Sequence, residues 1–333
     1  MVSTKDFVLS KLISSGDFIS GESLSNEINV TRAAINTAVK CLRADGYDID
    51  SVTNKGYKLI NHPDLLNAGQ IMAYLPEGRM ENVIVYPKID STNKKLKELA
   101  YDGASDGTVV ISDCQTQGRG RLGRSFESPA GTGIYLSYLM RPAIKPEFIS
   151  TITCWAAVAT ARAISTCTGV TPSIKWVNDL LINDKKICGI LTEMSIVPEI
   201  NSVSNVVIGI GININEAPQD FPEQIRSIAS SVRYESGSDE PVLRAPVAAA
   251  LIKELDKIRL SFPEAHDEYL NAYREMCNTV GLNVDVVSAH NHLSEKPRFG
   301  KAVAIGDDFS LKVLFEDGHE ENLSSGEVSV RRR

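Results

Sequence analysis

The sequence has few of the features that mark secreted, metal-binding or membrane proteins. Its six cysteines are scattered and form no Cys-x-x-Cys pair, so neither a disulfide framework nor a zinc site is indicated. No apolar run approaches the roughly 18 residues that cross a bilayer, and the N-terminal segment lacks the apolar core of a signal peptide. These absences predict a cytoplasmic protein in a reducing compartment, with no membrane partner.

The chain also lacks a positive charge balance. Its 333 residues have a formal net charge of -7, which argues against attraction of the whole surface to nucleic acid. Any contact with DNA must therefore come from a local patch. The length predicts about two domains, and a hydrophobic content of 43% is enough for packed cores.

The first sixty residues are predicted to form a winged helix-turn-helix. Apolar residues at helical spacing predict a first helix that ends at Gly16, while Ser20 and Thr31 can cap two further helices. A hairpin that turns at residues 54–56 follows them. Two helices joined by a tight turn and followed by a hairpin are typical of this DNA-binding fold.

Positive charge is concentrated on the third predicted helix. Residues 1–60 contain seven basic and seven acidic side chains, whereas residues 31–44 contain three basic side chains and no acidic one. Cations and amides thus lie where a groove-reading helix and a wing meet DNA. The residues expected to contact DNA are Arg32, Asn36, Thr37, Lys40, Arg43 and Lys55. The alternative is a winged helix used only for protein contacts.

Beyond residue 83, strand-like and helical segments alternate, which predicts the α/β class with a mixed sheet. The strand-like runs 108–115 and 133–140 border a loop with the sequence "GRGRLGR" at 118–124, so this loop belongs to a folded domain rather than to a tail. Glycines let the backbone approach a ligand closely, and arginines supply forked donors for phosphate or carboxylate. An anion-binding loop is predicted, with a solvated loop as the alternative.

A second candidate for anion contact is a hairpin that turns at Asn183 and Asp184. Strand alternation places Lys185 and Lys186 on opposite faces, and the inward lysine must either extend its amine to solvent or meet an anion. The run "IGIGINI" at 208–214 has no dinucleotide spacing and no Walker lysine, so it reads as a close-packed strand. Asp90, Ser91 and Thr92, taken alone, could be a plain helix cap.

Four motifs follow the predicted winged helix in order along the chain. They are "DSTN" at 90–93, "QTQGRGRLGR" at 115–124, "KWVNDLLINDKKICGIL" at 175–191 and "GIGININ" at 209–215. Over nearly the whole chain, the sequence resembles the family of bifunctional biotin protein ligases and biotin operon repressors. The segments 300–318 and 323–332 are similar to the small SH3-like β barrel of that family.

The resemblance implies a reaction in which biotin and ATP, with Mg²⁺, give biotinyl-5′-AMP. The biotinyl group then passes to a lysine of a biotin carboxyl carrier protein, from acetyl-CoA carboxylase or a related carboxylase. It also implies that the adenylate acts as corepressor of a homodimer that binds operator DNA.

The resemblance assigns roles by position. The implied catalytic residues are Lys186, Arg119 and Arg121. The implied biotin contacts are Ser91, Thr92, Asn93, Gln115, Arg119, Gly120, Arg121, Lys186 and Gly189. The implied ATP and adenylate contacts are Gly118, Arg121, Arg124, Lys175, Asn178 and Asn213. No metal ligand is assigned, and Asp179 is expected to be partly structural.

Two positions depart from the family pattern: Val177 replaces a frequent proline, and Phe126 replaces a frequent tryptophan. The predicted domains are the winged helix at 1–62, the ligase domain at 63–275 and the C-terminal domain at 276–333. A fragment that begins near residue 65 is therefore expected to keep the ligase activity. A lipoate-type ligase and a ligand-sensing repressor without ligase activity are the alternative functions.

Overall fold

Helices and a hairpin form the N-terminal part of the computed structural model, which describes residues 2–142, 144–197, 202–288, 298–324 and 328–332. The elements are α1 Thr4–Ser15, α2 Gly21–Glu27, α3 Arg32–Ala44, β1 Asp48–Val52 and β2 Gly56–Asn61. Ser20 and Thr31 cap α2 and α3 through hydrogen bonds from backbone amides, and Gly16 ends α1 with a φ of 64°. The predicted winged helix is confirmed.

A short helix, α4 Ala68–Met72, joins the winged helix to the rest of the protein. Tyr47 of the winged helix accepts hydrogen bonds through its hydroxyl from Asn67 Nδ2 at 2.7 Å and Gln70 Nε2 at 3.1 Å. Ile71 is fully buried in the core of the following domain, and Met72 packs against both cores. The segment is thus a packed joint rather than a solvated linker.

A seven-stranded mixed sheet forms the centre of the molecule. Its strands are β3 Val83–Tyr86, β4 Val109–Ser112, β5 Gly133–Met140, β6 Ser173–Lys175, β7 Asp179–Ile182, β8 Lys185–Val197 and β9 Ser202–Asn213. The spatial order is β3-β4-β5-β9-β8-β7-β6, with β3 and β4 parallel and the other neighbours antiparallel. The predicted strand at 133–140 and the turn at Asn183 and Asp184 are confirmed.

Helices cover both faces of this sheet, so its strands are apolar on both sides. The helices are α5 Thr92–Tyr101, α6 Ile149–Thr168, α7 Val232–Ser236, α8 Arg244–Ser261 and α9 His266–Met276. Along β4, Val109 and Ile111 enter the core beneath α6 and α8, whereas Val110 faces α5. Among the residues described, no helix is long and apolar enough to cross a bilayer.

The C-terminal part is an antiparallel sheet of five strands in the order β13-β12-β11-β10-β14. They are β10 Asn283–Ser288, β11 Arg298–Ile305, β12 Leu311–Phe315, β13 Glu320–Leu323 and β14 Val328–Arg332. The ladders between the described residues do not join β13 to β14, so the finer prediction of a closed SH3-like barrel stays a prediction. Trp176 Nε1 donates to the carbonyl of Phe309 at 2.9 Å and thereby ties this sheet to the central domain.

Arg244 of α8 connects three parts of the chain through a side chain that is only 1% exposed. Its Nε donates to Asp64 Oδ2 at 2.7 Å and its Nη1 to Asp113 Oδ1 at 2.5 Å. Nη2 also donates to the carbonyl of Asp64 at 2.8 Å. Because a buried guanidinium needs its partners, a fragment that begins near residue 65 would lose one carboxylate of this cluster, whereas a fragment that begins at residue 63 keeps it.

We predict that Asp64→Asn lowers the free energy of unfolding of the full chain by about 2 kcal/mol, because Arg244 then keeps only one of its two carboxylates. Urea unfolding measures this value. Asp106→Asn is the matched control, because Asp106 pairs with the more exposed Arg259 at 3.4 Å and its loss is expected to change stability by less than about 0.5 kcal/mol. Equal losses for the two variants would contradict this role of Asp64.

Candidate ligase site and DNA-binding surface

A cavity of about 200 Å³ lies where the start of α5, the loop after β4 and the turn between β6 and β7 meet strands β8 and β9. It contains most of the residues that the sequence assigned to small-molecule binding. The assigned residues that line it are Ser91, Thr92, Asn93, Gln115, Arg119, Gly120, Arg121, Arg124, Lys175, Asn178, Lys186 and Gly189. Segments more than 100 positions apart in sequence therefore converge on one site.

Two assigned residues do not line this cavity. Asn213, at the end of β9, is buried and donates through Nδ2 to the carbonyl of Ser230 at 3.0 Å, so its side chain is used within the protein. Gly118 lies at the base of the arginine loop, where an added Cβ would come within 2.3 Å of the carbonyl oxygen of Phe126. Gly118 permits the two arms of the loop to approach, which is a structural role.

One wall of the cavity is neutral and polar. Ser91 is the N-cap of α5, since its side chain accepts from the amide of Lys94. The Oε1 atom of Gln115 accepts the amide N–H of Thr92 at 2.8 Å, and its Nε2 donates to Ser128 Oγ at 3.1 Å. The helix cap and the loop after β4 are thereby held together, and their side chains form one wall.

Behind this wall lie two residues that sequence reasoning missed. Ser137 Oγ donates to Asn93 Oδ1 at 2.6 Å, and Asn93 Nδ2 donates to Glu193 Oε2 at 2.9 Å. Neither Ser137 nor Glu193 lines the cavity. The signals in the sequence were a serine within the strand-like run 133–140 and a glutamate directly after the apolar run of β8.

The lining of the cavity is also strongly cationic. Its lining includes one carboxylate, Asp179, and five cations, which are Arg119, Arg121, Arg124, Lys175 and Lys186. This excess is local, because the chain as a whole has a net charge of -7. The lining therefore favours an anionic ligand of more than one negative charge.

Lys186 is the inward lysine of the hairpin. Its Nζ lies 2.7 Å from Asp179 Oδ1, and the Lys186 side chain is 35% exposed. Lys185 lies on the opposite face and donates to the carbonyl of Ser227. Of the two alternatives for the inward lysine, the structure has its amine paired with an anion, the carboxylate of Asp179.

Arg121 extends from the arginine loop toward the turn between β6 and β7. Its Nη1 donates to Asn178 Oδ1 at 2.9 Å, and Asn178 Nδ2 donates to the carbonyl of Ile190 at 2.8 Å. Burial lowers the pKa of Arg121, an effect that Asp179 opposes. The guanidinium is thus charged, partly desolvated and held at a fixed point of the cavity wall.

The glycines of β9 allow side chains to approach the sheet closely. A Cβ at Gly209 would lie 2.2 Å from Asn93 Oδ1, and a Cβ at Gly211 would lie 2.5 Å from the ring of Phe126. Phe126, one of the two departures from the family pattern, therefore packs on the strand at a point where the strand needs a glycine. Val177, the other departure, is buried and follows a cis peptide bond from Trp176.

The winged helix presents a second candidate surface on α3. Asn36, Thr37 and Lys40 are exposed on this helix, as predicted for a groove-reading face. Lys55 lies in the turn between β1 and β2, with its Nζ 5.9 Å from the ring centroid of Phe18. These four side chains are placed where the sequence reasoning expected DNA contacts.

The two arginines assigned to the DNA surface have partners within the winged helix. Arg32 forms an exposed ion pair with Glu22. Arg43 donates through Nη2 to the carbonyl of Ile49 and to Ser51 Oγ, both at 2.6 Å, which fixes the wing against α3. Arg43 thus has a structural role in positioning the wing, and its assignment to DNA contact stays a prediction.

Fold and site together define the class of protein: a helix-turn-helix domain joined to a ligase domain. Residues 85–213 match the biotin/lipoate A/B protein ligase family, and residues 5–58 match a helix-turn-helix domain family. The chain is similar to a biotin protein ligase of Aquifex aeolicus, solved in complex with biotin and ATP. That structure has a TM-score of 0.62 and 30% identity, with coverage of 76% of this chain and 100% of the other.

Full-length relatives specify the family further. The bifunctional ligase/repressor BirA of Bacillus subtilis is 37% identical, over 91% of this chain and 91% of the relative. BirA of Escherichia coli is 32% identical, over 96% of this chain and 95% of the relative. The chain belongs to the family of these bifunctional ligase/repressor proteins.

Proposed function

We propose that this protein is an ATP-dependent biotin protein ligase that also acts as a biotin-responsive repressor. The observation that carries the ligase function is the cavity itself, whose lining combines a neutral polar wall with five cations. Biotin has the matching polarity, because a cyclic urea and a carboxylate lie at its two ends. We assign the urea to the Ser91, Thr92 and Gln115 wall and the carboxylate to the region of Lys186.

In the first step, a carboxylate oxygen of biotin attacks the α-phosphorus of ATP and pyrophosphate leaves. Two anions must approach each other, so fixed donors that offset their repulsion lower the barrier. We propose that Lys186 exchanges Asp179 for the reacting oxygens, since its amine already lies within the cavity. Arg119 and Arg121 close over biotin and the adenylate, while Arg124, Lys175 and Asn178 face the nucleotide.

In the second step, the amine of a carrier lysine attacks the acyl carbonyl of biotinyl-5′-AMP. An amide bond forms, the amine nitrogen gives up one proton, and AMP leaves with the electron pair of the broken acyl–oxygen bond. The partner is a biotin carboxyl carrier protein from acetyl-CoA carboxylase or a related carboxylase. The cations that served the first step then stabilise AMP as the leaving group.

Mg²⁺ fits this site as an ion that enters with ATP. Among the residues described, no group of three or more histidine, cysteine or acidic side chains could hold a metal. Asp179 is the carboxylate of the cavity lining, and it is paired with Lys186. Mg²⁺ commonly takes most of its ligands from phosphate and water, so we assign it to the phosphates rather than to a protein cage.

Both alternative functions are less well supported. A lipoate ligase would share the family of residues 85–213, but relatives that align with almost the full chain are ligase/repressors. A repressor without ligase activity would share the helix-turn-helix match of residues 5–58, but the full-length relatives are named ligase/repressors.

For the second function, we propose that the adenylate is the corepressor. The winged helix has no net charge, so one copy is expected to bind DNA weakly, whereas a homodimer on a two-fold operator gains avidity. The arginine loop closes over the adenylate and favours the dimer-competent state. We infer a cytoplasmic protein from this role on DNA.

We predict that Lys186→Gln leaves the fold intact and loses most adenylation activity. The loss of one fixed donor to a developing anion costs about 3 to 4 kcal/mol, which is roughly two to three decades in rate. Pyrophosphate release in the presence of biotin and ATP measures this rate. The matched control is Lys185→Gln, on the opposite face of the same strand, which we expect to stay within about threefold of wild type. Pyrophosphate release by Lys186→Gln at nearly the wild-type rate would rule out the proposed role.

We predict that Lys40→Ala weakens operator binding and flattens its dependence on salt, because a side chain that contacts phosphate releases counterions on binding. Titration of operator DNA at several salt concentrations measures both effects, while ligation stays at the wild-type rate. Lys257→Ala is the control, since it removes the same charge from an exposed position on α8. Operator binding would have to use another surface if both variants behaved alike.

A further inference from the structure

The turn between β6 and β7, residues 176–178, lies beside the cavity and supplies part of its lining. Lys175 and Asn178 line the cavity at the two ends of this turn, and the proposed function assigns both to the nucleotide. Trp176 and Val177 lie between them and are 5% and 2% exposed. A side chain keeps a fixed position only if the backbone that carries it is fixed. The groups that bind the backbone of this turn therefore determine where Lys175 and Asn178 lie.

A threonine from the segment between α9 and β10 binds the amide of Trp176. The amide donates to Thr279 Oγ1 at 2.9 Å, and Thr279 is only 3% exposed. The two residues before Thr279 are tied to β6, because Cys277 forms a β-bridge with Ile174 and the amide of Asn278 donates to the carbonyl of Ile174 at 3.0 Å. Thr279 is thus held in place, and without its hydroxyl the buried amide would lack this acceptor.

A tyrosine from α9 binds the carbonyl of Val177. Tyr273 Oη donates to this carbonyl at 3.2 Å, and Tyr273 is fully buried. Burial raises the pKa of the Tyr273 hydroxyl well above its usual value, so the hydroxyl keeps its proton at neutral pH and acts as a donor. The Tyr273 ring also packs edge-on against Phe309, whose carbonyl accepts the indole N–H of Trp176 at 2.9 Å. The turn is therefore bound at three points.

We infer that Tyr273 and Thr279 are positioning residues for adenylation, whose hydroxyls fix the turn so that Lys175 and Asn178 meet the nucleotide. Neither residue lines the cavity, so both act through the turn rather than on a ligand. The inference rests on the proposed function and deepens it, because it names groups outside the cavity that set the affinity for ATP.

The effect should fall on the nucleotide rather than on biotin. The wall assigned to biotin is built on other elements, since the Thr92 amide at the start of α5 donates to Gln115 Oε1 in the loop after β4. The turn is joined to the arginine loop instead, because Asn178 Oδ1 accepts from Arg121 Nη1 at 2.9 Å. A displaced turn would therefore move groups assigned to the nucleotide and leave the polar wall in place.

Thr279→Val tests the inference because it keeps the shape of the side chain and removes the acceptor. The buried amide of Trp176 then lacks its partner, so the turn is expected to shift. We expect the KM for ATP, measured by pyrophosphate release at saturating biotin, to rise about tenfold. The Kd for biotin, measured by calorimetry without ATP, should stay within about twofold of wild type. Thr279→Ser restores the hydroxyl and should return the KM for ATP to within about twofold of wild type.

Tyr273→Phe is the independent second variant, because it removes only a hydroxyl and leaves the packing of the ring intact. We expect it to raise the KM for ATP about threefold, less than Thr279→Val, since the bond it removes is longer. Thr108→Val is the matched control. Thr108 is 5% exposed and donates to the carbonyl of Ser105 at 2.7 Å before β4, whereas the cavity lies after β4. This variant loses a buried hydroxyl but should keep both constants within about twofold of wild type.

The outcomes are distinct. A raised KM for ATP in Thr279→Val and Tyr273→Phe, an unchanged Kd for biotin and rescue by Thr279→Ser would support the inference. An unchanged KM for ATP in the variants that fold, a failure of Thr279→Ser to restore it, or a Kd for biotin that rises as much as the KM for ATP would overturn it. A wild-type protein that releases no pyrophosphate from ATP in the presence of biotin would instead overturn the proposed function, on which the inference rests.

Discussion

The site depends on holding like charges together in one cavity before any anion arrives. Two cations 4 Å apart repel each other by about 4 kcal/mol at the effective dielectric constant of a protein surface. The cavity offsets this repulsion with Asp179 beside Lys186 and with the amide oxygen of Asn178 at Arg121. Asn178 lies in the short turn between β6 and β7, and Asp179 is the residue after it. This turn therefore holds Lys186 and Arg121 in place within the cavity. In the proposed function, ligand anions replace Asp179 at Lys186.

The rest of the fold supplies rigidity around that cavity. Glycines 209 and 211 let Asn93 and Phe126 lie directly on the central sheet, where any side chain would keep them apart. Arg244 fixes Asp113, which precedes Gln115 by two positions, and the same guanidinium binds Asp64 in the segment that leads from the winged helix. The segment that follows the winged helix and the loop that leads to the cavity wall thus share one buried ionic cluster.

Local patterns predicted much of this architecture. Apolar spacing and capping residues indicated α1 to α3, strand alternation separated Lys185 from Lys186, and the order of four motifs indicated the family. Such local patterns could not predict contacts between distant segments of the chain. The hydrogen bond from Asn213 to Ser230, the use of Arg43 to hold the wing and the pairing of Asp64 with Arg244 each depend on tertiary packing. The place of Glu193 next to the site was missed, since nothing local connects it to Asn93, one hundred positions earlier.

In the proposed function, one cavity serves both ligation and repression, and biotinyl-5′-AMP is the species common to both. The most direct measurement is sedimentation velocity combined with operator titration of the same wild-type sample, at increasing concentrations of biotinyl-5′-AMP. The account predicts that dimer formation and operator affinity rise together as the adenylate fills the cavity, while ATP alone changes neither. Unchanged sedimentation and unchanged operator affinity at saturating adenylate would contradict it.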